Sequence, residues 1–127
     1  MSGYVQNDFC GDRQRLEVFD YEDRFDLLGD GRLQLLSTIG HTPGHQSLLV
    51  TFDSGRSFAL SGDAVYNQAQ LDELRPPGLV VDAVAAAGSV GVLAGLADAR
   101  HHCLIPHDPP SWADAAAAVT TIWEEAS

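Results

Sequence analysis

The residues of this chain best suited to chemistry are two imidazoles and a carboxylate, each placed just beyond or between β-prone runs. His45 stands in His41-Thr42-Pro43-Gly44-His45-Gln46-Ser47, where a Pro-Gly turn puts an imidazole at a strand end. Asp63 follows the apolar run that ends Leu60-Ser61-Gly62, and His107 follows Leu104-Ile105-Pro106. A single turn histidine is usually no more than a partner for backbone. Together with the other two groups it means more, because imidazole nitrogen and carboxylate oxygen are ligands zinc accepts, and strand ends of a layered sheet can converge on one cleft. A metal centre is the arrangement they predict.

The elements that must position these groups are readable from pattern. Residues up to Gly31 lack a sustained period and read as loop or short strands, and Leu33 to Leu36 alternate as in a half-buried strand. Ser47 to Phe52 and Ser57 to Ser61 are β-prone on either side of the turn Asp53-Ser54-Gly55. Val50, Phe52, Phe58 and Leu60 alternate on these two strands and are expected to share a face. Residues 67 to 78, with Pro76-Pro77, read as a surface loop. A helix is expected over Val80 to Ala99, with Val84, Ala87, Gly91 and Ala94 at helical spacing. His102 to Ile105 reads as a short strand, and Ser111 with Asp114 resembles a capping box opening a final helix. Trp112, Ala115, Val119 and Ile122 are expected on that helix's buried face. His101 and His102, adjacent in an extended segment, point to opposite faces and read as surface or packing residues. The fold class is α/β or α+β, layered, with helices covering a sheet.

Composition narrows the function. The chain has 127 residues, 45% of them hydrophobic, enough for one domain with a modest core. With 18 acidic and seven basic residues the net charge is −11, which opposes binding to nucleic acid or to an anionic membrane. The absence of a long apolar run leaves a cytoplasmic protein as the expectation. Cys10 and Cys103 make no C-x-x-C pair and read as unpaired thiols.

The ordered blocks HTPGHQSL, GDAVY and IPHDP resemble the metallo-β-lactamase superfamily, and within it the N-acyl-homoserine lactonase branch, over about Asp26 to Trp112. The resemblance implies that the chain is the C-terminal half of an αββα sandwich with two zinc ions in a cleft. It implies that His45 binds the first ion, Asp63 bridges both, and His107 binds the second. Tyr66 takes the place of a tyrosine that assists the substrate carbonyl or leaving group. His41 and Asp108 are expected behind the ligands, Asp108 orienting His107. The implied activity is hydrolysis of a small ester or lactone by a metal-activated water, as in quorum quenching.

One part of the family pattern is missing: no H-x-H-x-D-H cluster occurs anywhere in the sequence. Each ion would then have two protein ligands instead of the usual three or so, so zinc binding is expected to be weak or absent. The expectation is therefore a partial domain over residues 1–127, truncated and inactive as it stands. Its exposed inner face would favour self-association or a complementary half, and the alternative is a non-catalytic half-domain that acts as an interaction module.

Overall fold

The computed structural model describes residues 20–96 and 101–126. Strands β1 (Arg24–Asp26), β2 (Leu33–Ser37), β3 (Gln46–Thr51) and β4 (Ser57–Leu60) form an antiparallel meander in chain order. A single turn of 3-10 helix over Gly62–Ala64 and the helices α1 (Gln68–Asp72) and α2 (Ala83–Leu96) lead to β5 (His101–Leu104), which pairs with β4 in parallel. Helix α3 (Pro109–Ala126) closes the chain's described part. The mixed sheet with helices on it matches the layered α/β expectation. No helix among the described residues is long and apolar enough to cross a membrane.

The strand register sorts side chains onto two faces. Leu36, Leu49 and Ala59 face α2 and join Val65, Val90, Leu93 and Ile105 in the main core. On the opposite face lie the rows Leu33–Val50–Phe58 and Leu35–Leu48–Leu60–Leu104. Helix α3 covers one end of it, where Phe58 and Ala115 are buried and Phe52, Leu60, Leu104 and Ala118 pack around them. Val50, Phe58 and Leu60 do share a face. The chain's own last helix covers part of it, while Leu33, Leu35, Leu48 and Val50 stay half-buried.

Both long helices differ from their expected phase. In α2 the buried residues are Ala86, Ser89, Val90 and Leu93, whereas Val84 is 85% exposed and Ala87 and Gly91 are exposed. A helix that is apolar on all sides carries no stripe to fix its rotation, so the contact with the sheet decides. It starts at Ala83, three residues later than Val80, because the Asp82 carboxylate caps it, accepting the N–H groups of Val84 and Ala85 at 3.0 Å. Helix α3 starts at Pro109, where the missing N–H costs nothing. Ser111 is not its cap. Its buried hydroxyl lies within hydrogen-bond distance of the Asp108 and Ile105 carbonyls, at 2.8 and 3.0 Å, and ties the helix to the end of β5. Ala115 is buried as expected, but Trp112 and Val119 are about half exposed, and Ile122 lies outside the described side chains. The segment read as a loop holds the short helix α1, capped by the Asn67 side chain, which accepts from Gln70 N–H at 3.0 Å.

Candidate active site

The turn between β2 and β3 carries His41 and His45, and it is fixed from two sides. Gly40 has φ of +131°, and a Cβ there would overlap the Ala86 backbone, so only glycine lets the turn lie on α2. The Gly40 carbonyl accepts from Val81 and Asp82 N–H at 2.8 and 3.0 Å, and Ser89 Oγ donates to the Ile39 carbonyl at 2.6 Å.

A buried hydrogen-bond chain then sets the His45 ring. Ser47 Oγ donates to the Ser61 carbonyl at 2.9 Å, so it accepts from Thr38 Oγ1 at 2.8 Å. Thr38 Oγ1 is thereby left to accept from His45 Nδ1–H at 2.9 Å, with the Thr38 carbonyl sharing that proton at 3.0 Å. The proton is assigned to Nδ1 by this sequence of donors, which leaves Nε2 a lone pair. That lone pair accepts the backbone N–H of Asp63 at 3.0 Å. Burial is the main cause that lowers the His45 pKa, opposed by the Thr38 backbone bond and the Asp63 charge. His45 is thus a neutral ring held at both nitrogens. Thr38, Ser47 and Ser61 are all buried and were not singled out by sequence, since nothing local marks a buried hydroxyl as a support for a turn.

Asp63 is the point on which the other groups converge. Its Oδ1 lies 3.0 Å from His107 Nε2 and its Oδ2 lies 3.4 Å from His41 Nε2. His41 Nδ1 donates to the Leu79 carbonyl at 2.8 Å, a contact 38 residues along the chain. The Tyr66 ring stands edge-on to those of His107 and His41, with centroids 5.0 and 6.3 Å away, and the His41 and His45 centroids are 5.9 Å apart. Tyr66 N–H donates to Gln70 Oε1 at 2.8 Å, so α1 anchors the tyrosine backbone. Burial, then the Asp63 charge, raises the Tyr66 pKa and keeps the phenol protonated.

The structure therefore brings His41, His45, Asp63, Tyr66 and His107 into one cluster. Asp108 accompanies His107 in sequence, but no described hydrogen bond joins its carboxylate to that ring; its N–H donates to the Ile105 carbonyl and its own carbonyl accepts from Ser111. His102 stacks on Phe58, with centroids 5.4 Å apart, and is a packing residue as read; the side chain of His101, like all of Cys10, lies outside the described part. Cys103 is free, and burial raises its thiol to about 11. A cavity of about 520 Å³ lined by Ile39, Gly40, Pro43, Val81, Asp82 and Val84 lies behind the turn, and no member of the Asp63 cluster lines it.

Among the described residues, no three His, Cys, Asp or Glu groups already surround one point as a bound metal requires. The donor chemistry still fits a metal ion in part. A carboxylate with an imidazole at each oxygen is a set that zinc and other transition ions accept, although the geometry is that of hydrogen bonds.

No family model matches the chain. Among curated proteins, the N-acyl homoserine lactonase AttM of Rhizobium radiobacter is 33% identical over 115 residues, which are 88% of this chain and 44% of that protein. The AttM lactonase of Azorhizobium caulinodans is 34% identical over 113 residues, 87% of this chain and 43% of that protein. The chain thus spans less than half the length of these relatives. Among solved structures, B. thuringiensis AiiA with N-decanoyl-L-homoserine bound at its active site is 26% identical with a TM-score of 0.60, over 74% of this chain and 37% of that one. A probable metal-dependent hydrolase from Staphylococcus aureus, 16% identical over 69% of this chain and 31% of that one, shares the fold with a TM-score of 0.57. In sequence the chain is similar to the C-terminal half of N-acyl homoserine lactonases, and in fold it is similar to lactonases of the metallo-β-lactamase superfamily.

Proposed function

We propose that the chain carries the C-terminal part of the active site of a lactone hydrolase, with Asp63 and His107 as metal-facing residues, His45 behind Asp63 and Tyr66 at the substrate. The observation that supports this most is the convergence on Asp63: two imidazoles stand at its carboxylate oxygens, a third takes its N–H, and a protonated phenol lies alongside. Zinc is the proposed metal, and a divalent ion bound there would acidify a water and polarise the substrate carbonyl.

The chain's own residues do the rest. Asp63, 44% exposed at its side chain, faces the open side of the site and offers both carboxylate oxygens. His45, neutral and held at Nδ1 by Thr38, fixes the turn against Asp63. Tyr66 donates its phenol hydrogen bond to the oxygen that becomes negative as water adds to the lactone carbonyl. The ring C–O bond then breaks, and the leaving alkoxide takes the proton released by the attacking water, passed through an Asp63 oxygen. The products are one hydroxy acid per lactone and no other fragment.

We further propose that hydrolysis needs the H-x-H-x-D-H segment that the family resemblance implies and this sequence lacks. The half-buried row Leu33, Leu35, Leu48 and Val50 is the surface on which a complementary half, or a second copy, would pack. Covering each such side chain contributes at most roughly 1.5–3 kcal/mol. The test of the reaction class joins this chain to the N-terminal part of an AttM lactonase, loads zinc, and follows N-hexanoyl-homoserine lactone by mass spectrometry beside a β-lactam and a thioester. Gain of one water by the lactone, with the other two left intact, supports the reading. Turnover of the thioester or β-lactam in its place overturns it.

A further inference from the structure

We propose that Gln70 is a positioning residue that holds Tyr66 beside His41 and His107, through a helix-capping contact displaced by one position onto the tyrosine's own backbone. The inference rests on the hydrolase reading for the use made of the phenol, but the hold itself is argued from the contacts of Gln70.

Tyr66 is placed from its backbone end. Its ring meets those of His107 and His41 only edge-on, and no hydrogen bond among the described residues reaches its phenol oxygen. The residues on either side are extended, Val65 at φ −142° and ψ 136°, Asn67 at φ −157° and ψ 163°. Val65 is fully buried in the main core, so the alternation of an extended chain turns Tyr66 the other way, toward the histidines. A ring set only by its neighbours in the chain can still swing, and a further point of attachment is what Gln70 supplies.

Helix α1 has five residues, too few to hold itself in water, and it depends on the buried Leu71 and on its cap. In a capping box the side chain before the helix accepts the N–H of the residue three further on, whose own side chain returns to the N–H of the first. Half of that pattern is present, since Asn67 Oδ1 accepts Gln70 N–H at 3.0 Å. The other half has moved: Gln70 Oε1 accepts the N–H of Tyr66, at 2.8 Å, instead of that of Asn67. The donor is a backbone N–H, so the atom facing it is the amide oxygen. The cap of α1 thus uses the backbone of Gln70 and the hold on Tyr66 uses its side chain, so substitution can separate the two. Gln70→Met keeps the cap, the length and the helix propensity but has no comparable acceptor, whereas Gln70→Glu keeps the acceptor.

Two measurements test this. On the full 127-residue chain, amide exchange by NMR should show the Tyr66 N–H at least about tenfold less protected in Gln70→Met. The N–H groups of residue 70 and Glu73, which report the cap and the helix, should be unchanged, and Gln70→Glu should restore the Tyr66 protection. In the zinc-loaded joined protein, Gln70→Met should lower kcat for N-hexanoyl-homoserine lactone about 3- to 10-fold with KM within about twofold, because a misplaced donor fails in the transition state and not in binding. Gln70→Glu should recover the rate, and in a Tyr66→Phe background Gln70→Met should have no further effect. A merely structural Gln70 would lower kcat by the same factor with or without the phenol, and that result would overturn the inference. Equal exchange of the Tyr66 N–H in the Gln70→Met and unaltered chains would overturn it as well. If the unaltered joined protein opens no lactone, the hydrolase reading fails, and exchange on the chain alone still decides whether Gln70 holds Tyr66.

Discussion

Gly62 and His45 are in mutual contact so close that a Cβ on Gly62 would stand 2.9 Å from His45 Nε2. Gly62 also has φ of +55°, so the same residue supplies a left-handed turn and room for the imidazole beneath it. The glycine before Asp63 is therefore what lets the Asp63 N–H reach the His45 ring. Gly62→Ala should cost about 1–3 kcal/mol through backbone strain and the displaced ring. Urea denaturation measures it, and a change below the scatter of the measurement would contradict the close packing.

Thr38 is fully buried and links His45 to Ser47. Thr38→Val keeps the shape but removes the hydroxyl, leaving Ser47 without its donor and His45 Nδ1 with the carbonyl alone. The expected loss is about 1–3 kcal/mol, accompanied by loosening of the His45 ring. Thermal unfolding gives the first quantity and the linewidth of the His45 ring proton the second; an unchanged variant would show that the hydroxyl chain does not hold the turn.

The pH response of His45 follows from its burial. Its pKa in the fold lies below the ordinary 6.5, so the unfolded chain takes up a proton first as pH falls. The stability that neutral His45 contributes is complete above pH 6.5 and is lost as pH drops from there toward the folded value. An NMR titration of its Cε1 proton should give a midpoint below 6.5. A midpoint at or above that value would contradict the buried, doubly bonded ring.

Cys103 behaves oppositely. Its thiol is raised from 9.0 to about 11 by burial in the sheet, so its contribution to stability is complete below pH 9.0 and declines as pH rises toward 11. In a Cys10→Ser background, its thiolate at pH 8 should be roughly 100-fold scarcer than in the unfolded chain. Reaction with a disulfide reagent should slow by at least that factor relative to the same chain in denaturant, and equal rates would refute the burial.

The strands, and the strand ends that carry His45, Asp63 and His107, were legible in sequence for one reason: alternation and turn chemistry act locally. The runs Leu33 to Leu36, Ser47 to Phe52 and Ser57 to Ser61 correspond to β2, β3 and β4, whose bounds differ by a residue at their C-terminal ends, and residues following β2, β4 and β5 meet at Asp63. The helices were placed but not phased. In α2 alanine, valine and glycine surround the axis, so Val84 could not be told from Ala86 without the sheet. At α3, Ser111 and Asp114 imitate a cap, while the Ser111 hydroxyl is bonded to Ile105 and Asp108 carbonyls that only the folded chain brings near. Thr38 and the Leu79 carbonyl were invisible for a similar reason, since their partners lie seven and 38 residues away and no local pattern records such distances.

The most direct test of the account is the zinc-dependent opening of N-hexanoyl-homoserine lactone, followed by acid release at constant pH, in this chain joined to the N-terminal part of an AttM lactonase. The joined protein should open the lactone, Asp63→Asn should lose at least about 100-fold in kcat/KM, and Tyr66→Phe should lose about 10- to 100-fold, mostly in kcat. A folded, zinc-loaded joined protein that leaves the lactone intact, or one whose activity survives Asp63→Asn, would contradict it.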